Sequence, residues 1–199
     1  MEELGARLDS LLVRLRTAYD GIGHSSGRPY VYFVYPPTEE RALRKLANET
    51  LRSDQGLCFH HLDLLPLTIA SIAGQEEKRQ DLLAGPRGGT VAGQILGHWV
   101  RTLGREIDRQ LAAEPDTVAL RAAARPVVVL RGLAALHPLS HPTAMMEALA
   151  EQEPRDADTG RTVPVVALVP GIRPPQTSRE YLFLGQERLR FTFYRGEEW

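Results

Sequence analysis

Residues 30 to 46 read YVYFVYPPTEERALRKL: six aromatic or β-branched residues, two prolines, then a charged segment with apolar residues at helical spacing. The first part predicts a buried strand from Pro29 to Tyr35. The second predicts a helix from Glu39 to Arg52 with Thr38 as its N-cap. A strand that turns directly into a helix is the opening unit of an α/β sheet. In a nucleotide-binding domain this turn is rich in glycine, because bare backbone N–H groups and the positive helix end must meet phosphate. Here it is Pro36-Pro37-Thr38-Glu39-Glu40. Proline supplies no N–H, and carboxylates in the first helical turn satisfy the helix dipole while repelling phosphate. The place is that of a phosphate loop without its chemistry.

Working outward, strands and helices alternate. Leu4, Leu8, Leu11, Leu12, Leu15 and Tyr19 mark an amphipathic helix over 2–19, expected at the sheet edge or against a partner. The loop 20–29 follows. A second strand is predicted over Leu57–Leu62, then short helices over Leu64–Ala73 and Gln75–Leu83, and a long helix over Val91–Ala112. The last contains Gly93, Gly97 and Gly104 with Gly89 just before it, a pattern that lets another backbone come close. A linker near Pro115 and a short helical piece lead to a third strand, Pro126–Leu130. A helix over Thr143–Glu151, a polar segment over 153–162 and a fourth strand, Pro164–Val169, come next. A hairpin of Tyr181–Leu184 and Leu189–Tyr194 is expected at one edge. The pattern predicts an α/β three-layer sandwich with a mostly parallel sheet, Rossmann-like or degenerate P-loop-like. The whole chain, 1–199, forms one domain, with residues 1–28 as helix and loop ahead of a sheet core over 29–199.

Composition narrows the function classes. Net charge is −1 and the pI about 6.6, which excludes a global basic field for nucleic acid or anionic membrane. Lys45 and Lys78 are the only lysines among 24 basic residues. Cys58 is the single cysteine, so no internal disulfide forms, in keeping with a reducing cytoplasm. The acidic first helix is unlike a secretory signal, and no apolar run approaches the roughly 20 residues of a membrane span.

Catalytic and metal motifs are weak throughout. Residues 85–90, GPRGGT, lack the lysine of a phosphate loop and read as a helix entry. His60 and His61 point to opposite faces of a strand and cannot share a metal. His137 and His141 are separated by Pro138 and lack a third ligand. No serine sits in a nucleophile elbow. Ligands of such a sheet bind beyond the carboxyl ends of its strands, a rim holding Tyr35, Pro36, Asp63, Arg131, Gly132, Pro170, Gly171 and Arg173. Asp63 there fits helix capping or pairing with an arginine. No cofactor, metal or catalytic residue is assigned.

Four segments carry a resemblance: VYFVYPPTEERALRKL, VVVLRGLAALHPLSHPTAMMEAL, PVVALVPG and FLGQERLRFTFYRGEEW. In this order they resemble the BrxB family, an uncharacterised-domain group of BREX bacteriophage-defence systems. The resemblance covers most of the chain from Tyr30, except 75–89 and 173–176. It implies a cytoplasmic, non-catalytic adaptor working beside a PglZ-type phosphatase-like protein, a BrxC-type ATPase and a DNA methyltransferase. The PglZ-type protein is the partner expected first, the BrxC-type ATPase the second, and a homodimer is allowed for. Apolar and basic residues in loops and at the tail are the candidate contacts: Tyr35, Pro36, Arg131, Leu136, His137, Pro138, Ile172, Arg173, Tyr194, Arg195 and Trp199. The alternatives are a phosphate-handling enzyme using Arg131 and Arg173, and, more weakly, a DNA-binding subunit.

Overall fold

The alternating buried strands and amphipathic helices assemble into an α/β sandwich. The computed structural model describes residues 2–22, 28–54, 56–112, 125–138, 140–151, 153–156, 158–175, 180–193 and 195–199. In chain order these are α1 (Glu2–Thr17), β1 (Tyr30–Tyr35), α2 (Glu40–Thr50), β2 (Leu57–Asp63), α3 (Leu64–Ile72), α4 (Glu76–Ala84) and α5 (Gly88–Ala112). There follow β3 (Arg125–Arg131), α6 (Pro142–Ala150), β4 (Val165–Ile172), β5 (Tyr181–Phe183), β6 (Arg190–Phe191) and β7 (Glu197–Glu198). The linker near Pro115 with its short helical piece, and Tyr194, lie outside the described residues.

The main sheet runs β2-β3-β4-β1-β7, every neighbouring pair parallel. Side-chain alternation sorts it into two cores. Val31, Phe33, Tyr35, Val127, Val129, Val166 and Leu168 face α1 and α2. Tyr30, Tyr32, Val34, Val128, Leu130, Val165 and Ala167 face α5 and α6. The first helix therefore covers a sheet face beside α2, where its leucines Leu8, Leu11 and Leu15 are fully buried; the expected edge position is not the one it takes. A four-leucine stripe is wide enough to need a whole sheet face.

The predicted hairpin is β5 and β6, and it pairs antiparallel with Gly171 and Ile172, the carboxyl end of β4. That strand runs through Pro170 rather than stopping there. β3 has ended its pairing with β4 at Ala167, so no ladder donor is missed at the proline, and its carbonyl accepts from Leu184 N at 2.9 Å. Beside β1 the sheet is completed by Glu197–Glu198. There the backbone comes so close that a Cβ on Gly196 would lie 2.5 Å from the Tyr32 ring and 2.8 Å from Tyr30 O. Along α5, by contrast, nothing among the described residues lies within 4 Å of a Cβ added at Gly89 or Gly93, so no described backbone uses those glycines.

Candidate functional site

Crossovers leave β1 toward the α1/α2 face and leave β2 and β3 toward the opposite one, so the carboxyl ends of β1 and β4 flank the topological switch point. Two arrangements of side chains sit on this rim.

The first fills the turn after β1. Pro37–Glu39 form a single 3-10 turn ahead of α2, and Glu39 rather than Thr38 is the N-cap; neither side chain caps the helix. Proline fixes its own φ and Glu39 N bonds to Pro36 O at 2.8 Å, which carries Thr38 out to solvent. Tyr35 OH donates to Glu40, burial and that carboxylate together pushing the phenol pKa up. Arg44 Nε donates to Glu40 at 2.6 Å and its Nη1 to Asp63, a bond that raises the guanidinium pKa. Asp63 also accepts from Leu65 N at 3.1 Å, capping α3 as expected. Arg131 donates to Asn48 Oδ1 at 2.8 Å, while its buried Nε faces Asp63 at 3.6 Å, a charge contact too long for a hydrogen bond. Two carboxylates and two guanidiniums thus neutralise one another where a phosphate loop would be. Gly132, at φ +71, makes room: a Cβ there would lie 2.3 Å from the Asp63 carboxylate.

The second arrangement is a crevice of about 390 Å³ beyond β1, β4 and β7, lined by Arg7, Val34, Tyr35, Pro36, Gly171, Ile172, Arg173, Tyr181 and Trp199. Arg7 reaches over from α1, donating to Val34 O and Trp199 O at 2.7 Å each, with its guanidinium 4.6 Å from the Phe33 ring centroid. Burial lowers its pKa. On the other side Arg173 donates to Tyr181 OH and, at 2.8 Å, to Glu198, whose carboxylate also accepts from Tyr181 OH at 2.5 Å. Trp199 is half-buried and packs against the α1/α2 core, its backbone bonded to Tyr32 and Val34.

Five of the eleven candidate contacts, Tyr35, Pro36, Ile172, Arg173 and Trp199, therefore converge on one crevice. Ile172 is 46% exposed at its mouth. Two candidates are corrected: Leu136 is fully buried, and Tyr35 is 1% exposed with its hydroxyl turned inward to Glu40, so neither offers a free apolar surface. The reason for Leu136 is the 3-10 turn Leu133–Leu136, which folds it into the α5/α6 core. Arg131 belongs to the ion-pair cluster. His137 and Pro138 follow that 3-10 turn, and His141 caps α6 instead of joining His137. Arg195 lies exposed in the tail. Sequence reasoning missed Arg7, Tyr181 and Glu198. Arg7 and Arg14, two helical turns apart beside the leucine stripe, were the available signal, since Arg14 likewise holds the tail through Glu197 at 2.8 Å.

Among the described residues no three His, Cys, Asp or Glu side chains are grouped to hold a metal, and no helix is long and apolar enough to cross a membrane. Comparison with protein-family models, with curated proteins and with solved structures finds no match to this chain.

Proposed function

We propose that the domain is a non-catalytic adaptor of a BREX-type phage-defence system, as its likeness to the BrxB family implies, and that it holds a larger component, the PglZ-type protein first, at the crevice between β1, β4 and β7. One observation carries the reading. The turn after β1 is closed by the Tyr35–Glu40–Arg44–Asp63 network instead of being open toward phosphate. What stays concave at the strand ends is the crevice, where an exposed isoleucine, a tryptophan and two arginines give the mixed apolar and basic lining common in protein contacts. Co-expression with each neighbouring component followed by affinity capture tests it. Capture of the PglZ-type protein, lost on Ile172→Asp and on Arg173→Glu, is the expected result; a chain that captures no component ends the reading.

Arg7 favours a second reading, in which the crevice handles a phosphorylated ligand. Among the described residues it forms no ion pair with an aspartate or glutamate side chain, and it stands with Arg173 rather than with Arg131. Calorimetric titration with ATP and GTP, with and without magnesium, separates the two: the adaptor releases no binding heat, the phosphate site does.

A further inference from the structure

The outer edge of β2 carries a set of open backbone groups that is complementary to itself. β2 is the terminal strand of the sheet, and Arg125 N donates to Gly56 O at 3.1 Å. In a parallel strand the N–H and C=O of one residue point to the same side, and successive residues alternate. The even-numbered residues of β2 therefore address β3, and Leu57, Phe59, His61 and Asp63 turn their backbone groups outward.

Much of this edge is already closed by the chain itself. Asp54 N donates to Leu57 O at 2.9 Å, Leu57 N to the Asp54 carboxylate at 3.0 Å, and Phe59 N to Ser53 Oγ at 2.9 Å. Asp63, as the N-cap of α3, gives its carbonyl to the helix. Four groups remain without a partner among the described residues: Phe59 C=O, both groups of His61, and Asp63 N–H. Read along the strand they run acceptor, donor with acceptor, donor. A two-fold axis maps that order onto itself.

We propose that a second copy of this chain pairs antiparallel with β2 about a two-fold axis at His61. Each His61 N–H donates to the His61 carbonyl of the other copy, and each Asp63 N–H to the Phe59 carbonyl of the other copy. Four bonds form, and the groups this register does not use are those that Ser53, Asp54 and α3 have consumed. A strand of any other sequence would need only an extended backbone; the palindromic order is what singles out a copy of the same chain. The pairing joins two sheets into one continuous sheet. Leu65 and Ile69, 49% and 57% exposed on the helix that begins just after the strand, add apolar area near the new seam. The Asp63 carboxylate brings no bare charge to the axis, being paired with Arg44. An edge contact is small, so the dimer is weak and concentration-dependent.

Sedimentation velocity on the full chain from about 1 to about 300 μM tests this, that span covering weak interfaces. The expected result is a monomer that converts to dimer within the range. The backbone N–H of His61 makes no bond among the described residues; His61→Pro removes it together with the imidazole, whose Nε2 lies 2.9 Å from Leu51 O, and raises the dimerisation midpoint at least about tenfold. His61→Ala keeps the N–H and holds the midpoint within about threefold, a contrast that a side-chain contact would not give. Hydrogen exchange of the unmodified chain supplies an arm that needs no variant: the amides of His61 and Asp63 become protected as concentration rises. A chain monomeric throughout, a dimer indifferent to His61→Pro, or amides in 57–63 whose exchange ignores concentration overturns the proposal. If His61→Pro unfolds, the exchange arm decides.

Discussion

Replacing Gly132 by alanine probes the ion-pair cluster that fills the turn beyond β1. The position has φ +71, and the added Cβ would come within 2.3 Å of the Asp63 carboxylate and 3.3 Å of Leu65 N. Left-handed backbone costs a non-glycine residue about 1–2 kcal/mol. The carboxylate is the end of a short side chain and could swing away, but it is held by Leu65 N, Arg44 and Arg131 together. Losing the cap costs about 1 kcal/mol. Losing the charged bond to Arg44 costs about 1.5 kcal/mol, the low end of its range because Glu40 still neutralises that guanidinium. Gly132→Ala should therefore destabilise the fold by about 4 kcal/mol in urea-denaturation equilibria. In an Asp63→Ala background the collision is gone, and the same change should cost about 1.5 kcal/mol, the backbone strain alone. Equal costs in both backgrounds would falsify the cluster as the origin of the effect.

Leu8→Ala, at a fully buried position between α1 and the sheet, should cost about 3 kcal/mol in the same assay; a cost under about 1 kcal/mol would mean that α1 does not cover this face. Arg7→Met removes both bonds to Val34 O and Trp199 O and should lower the melting temperature by about 4–8 °C, since a chain of this size loses about 2–4 °C per kcal/mol. An unchanged melting temperature would show that the guanidinium does not fasten the tail. Burial lowers the pKa of both His60 and His61, so the unfolded chain binds protons that the folded chain refuses. The stability they contribute is complete above about pH 6.5 and falls away as pH drops through their folded values. Replacing both with glutamine should flatten melting temperature against pH between about 7 and 5; a curve as steep as the wild type's would refute the assignment.

Strands β1, β3 and β4 were legible because each holds an unbroken run of apolar or aromatic residues, and helices α1, α2 and α5 because their apolar residues recur at helical spacing. Strand order was not, since neighbours in the sheet are settled by crossovers that no local pattern records. β7 was also invisible. Two adjacent glutamates are poor strand formers, and their place beside β1 depends on distant arginines, Arg7 and Arg14, and on the absence of a side chain at Gly196. The candidate contacts were half legible. Ile172, Arg173 and Trp199 met in the crevice, whereas Leu136 had the apolar loop composition of a contact residue and proved to be core. The expected role of Asp63 followed from its position between a strand end and a helix start, which is local information.

Helix α5 spans 25 residues, yet its buried side chains run only from Trp99 to Ile107. The half before Leu96 carries Gly89 and Gly93, which nothing among the described residues covers, and leans mainly on α4, which has no buried residue of its own. A single helix should thus show two opening energies. Amides near Leu103 exchange only when the whole protein unravels, and those near Gly93 escape through a small local melt that leaves the sheet untouched.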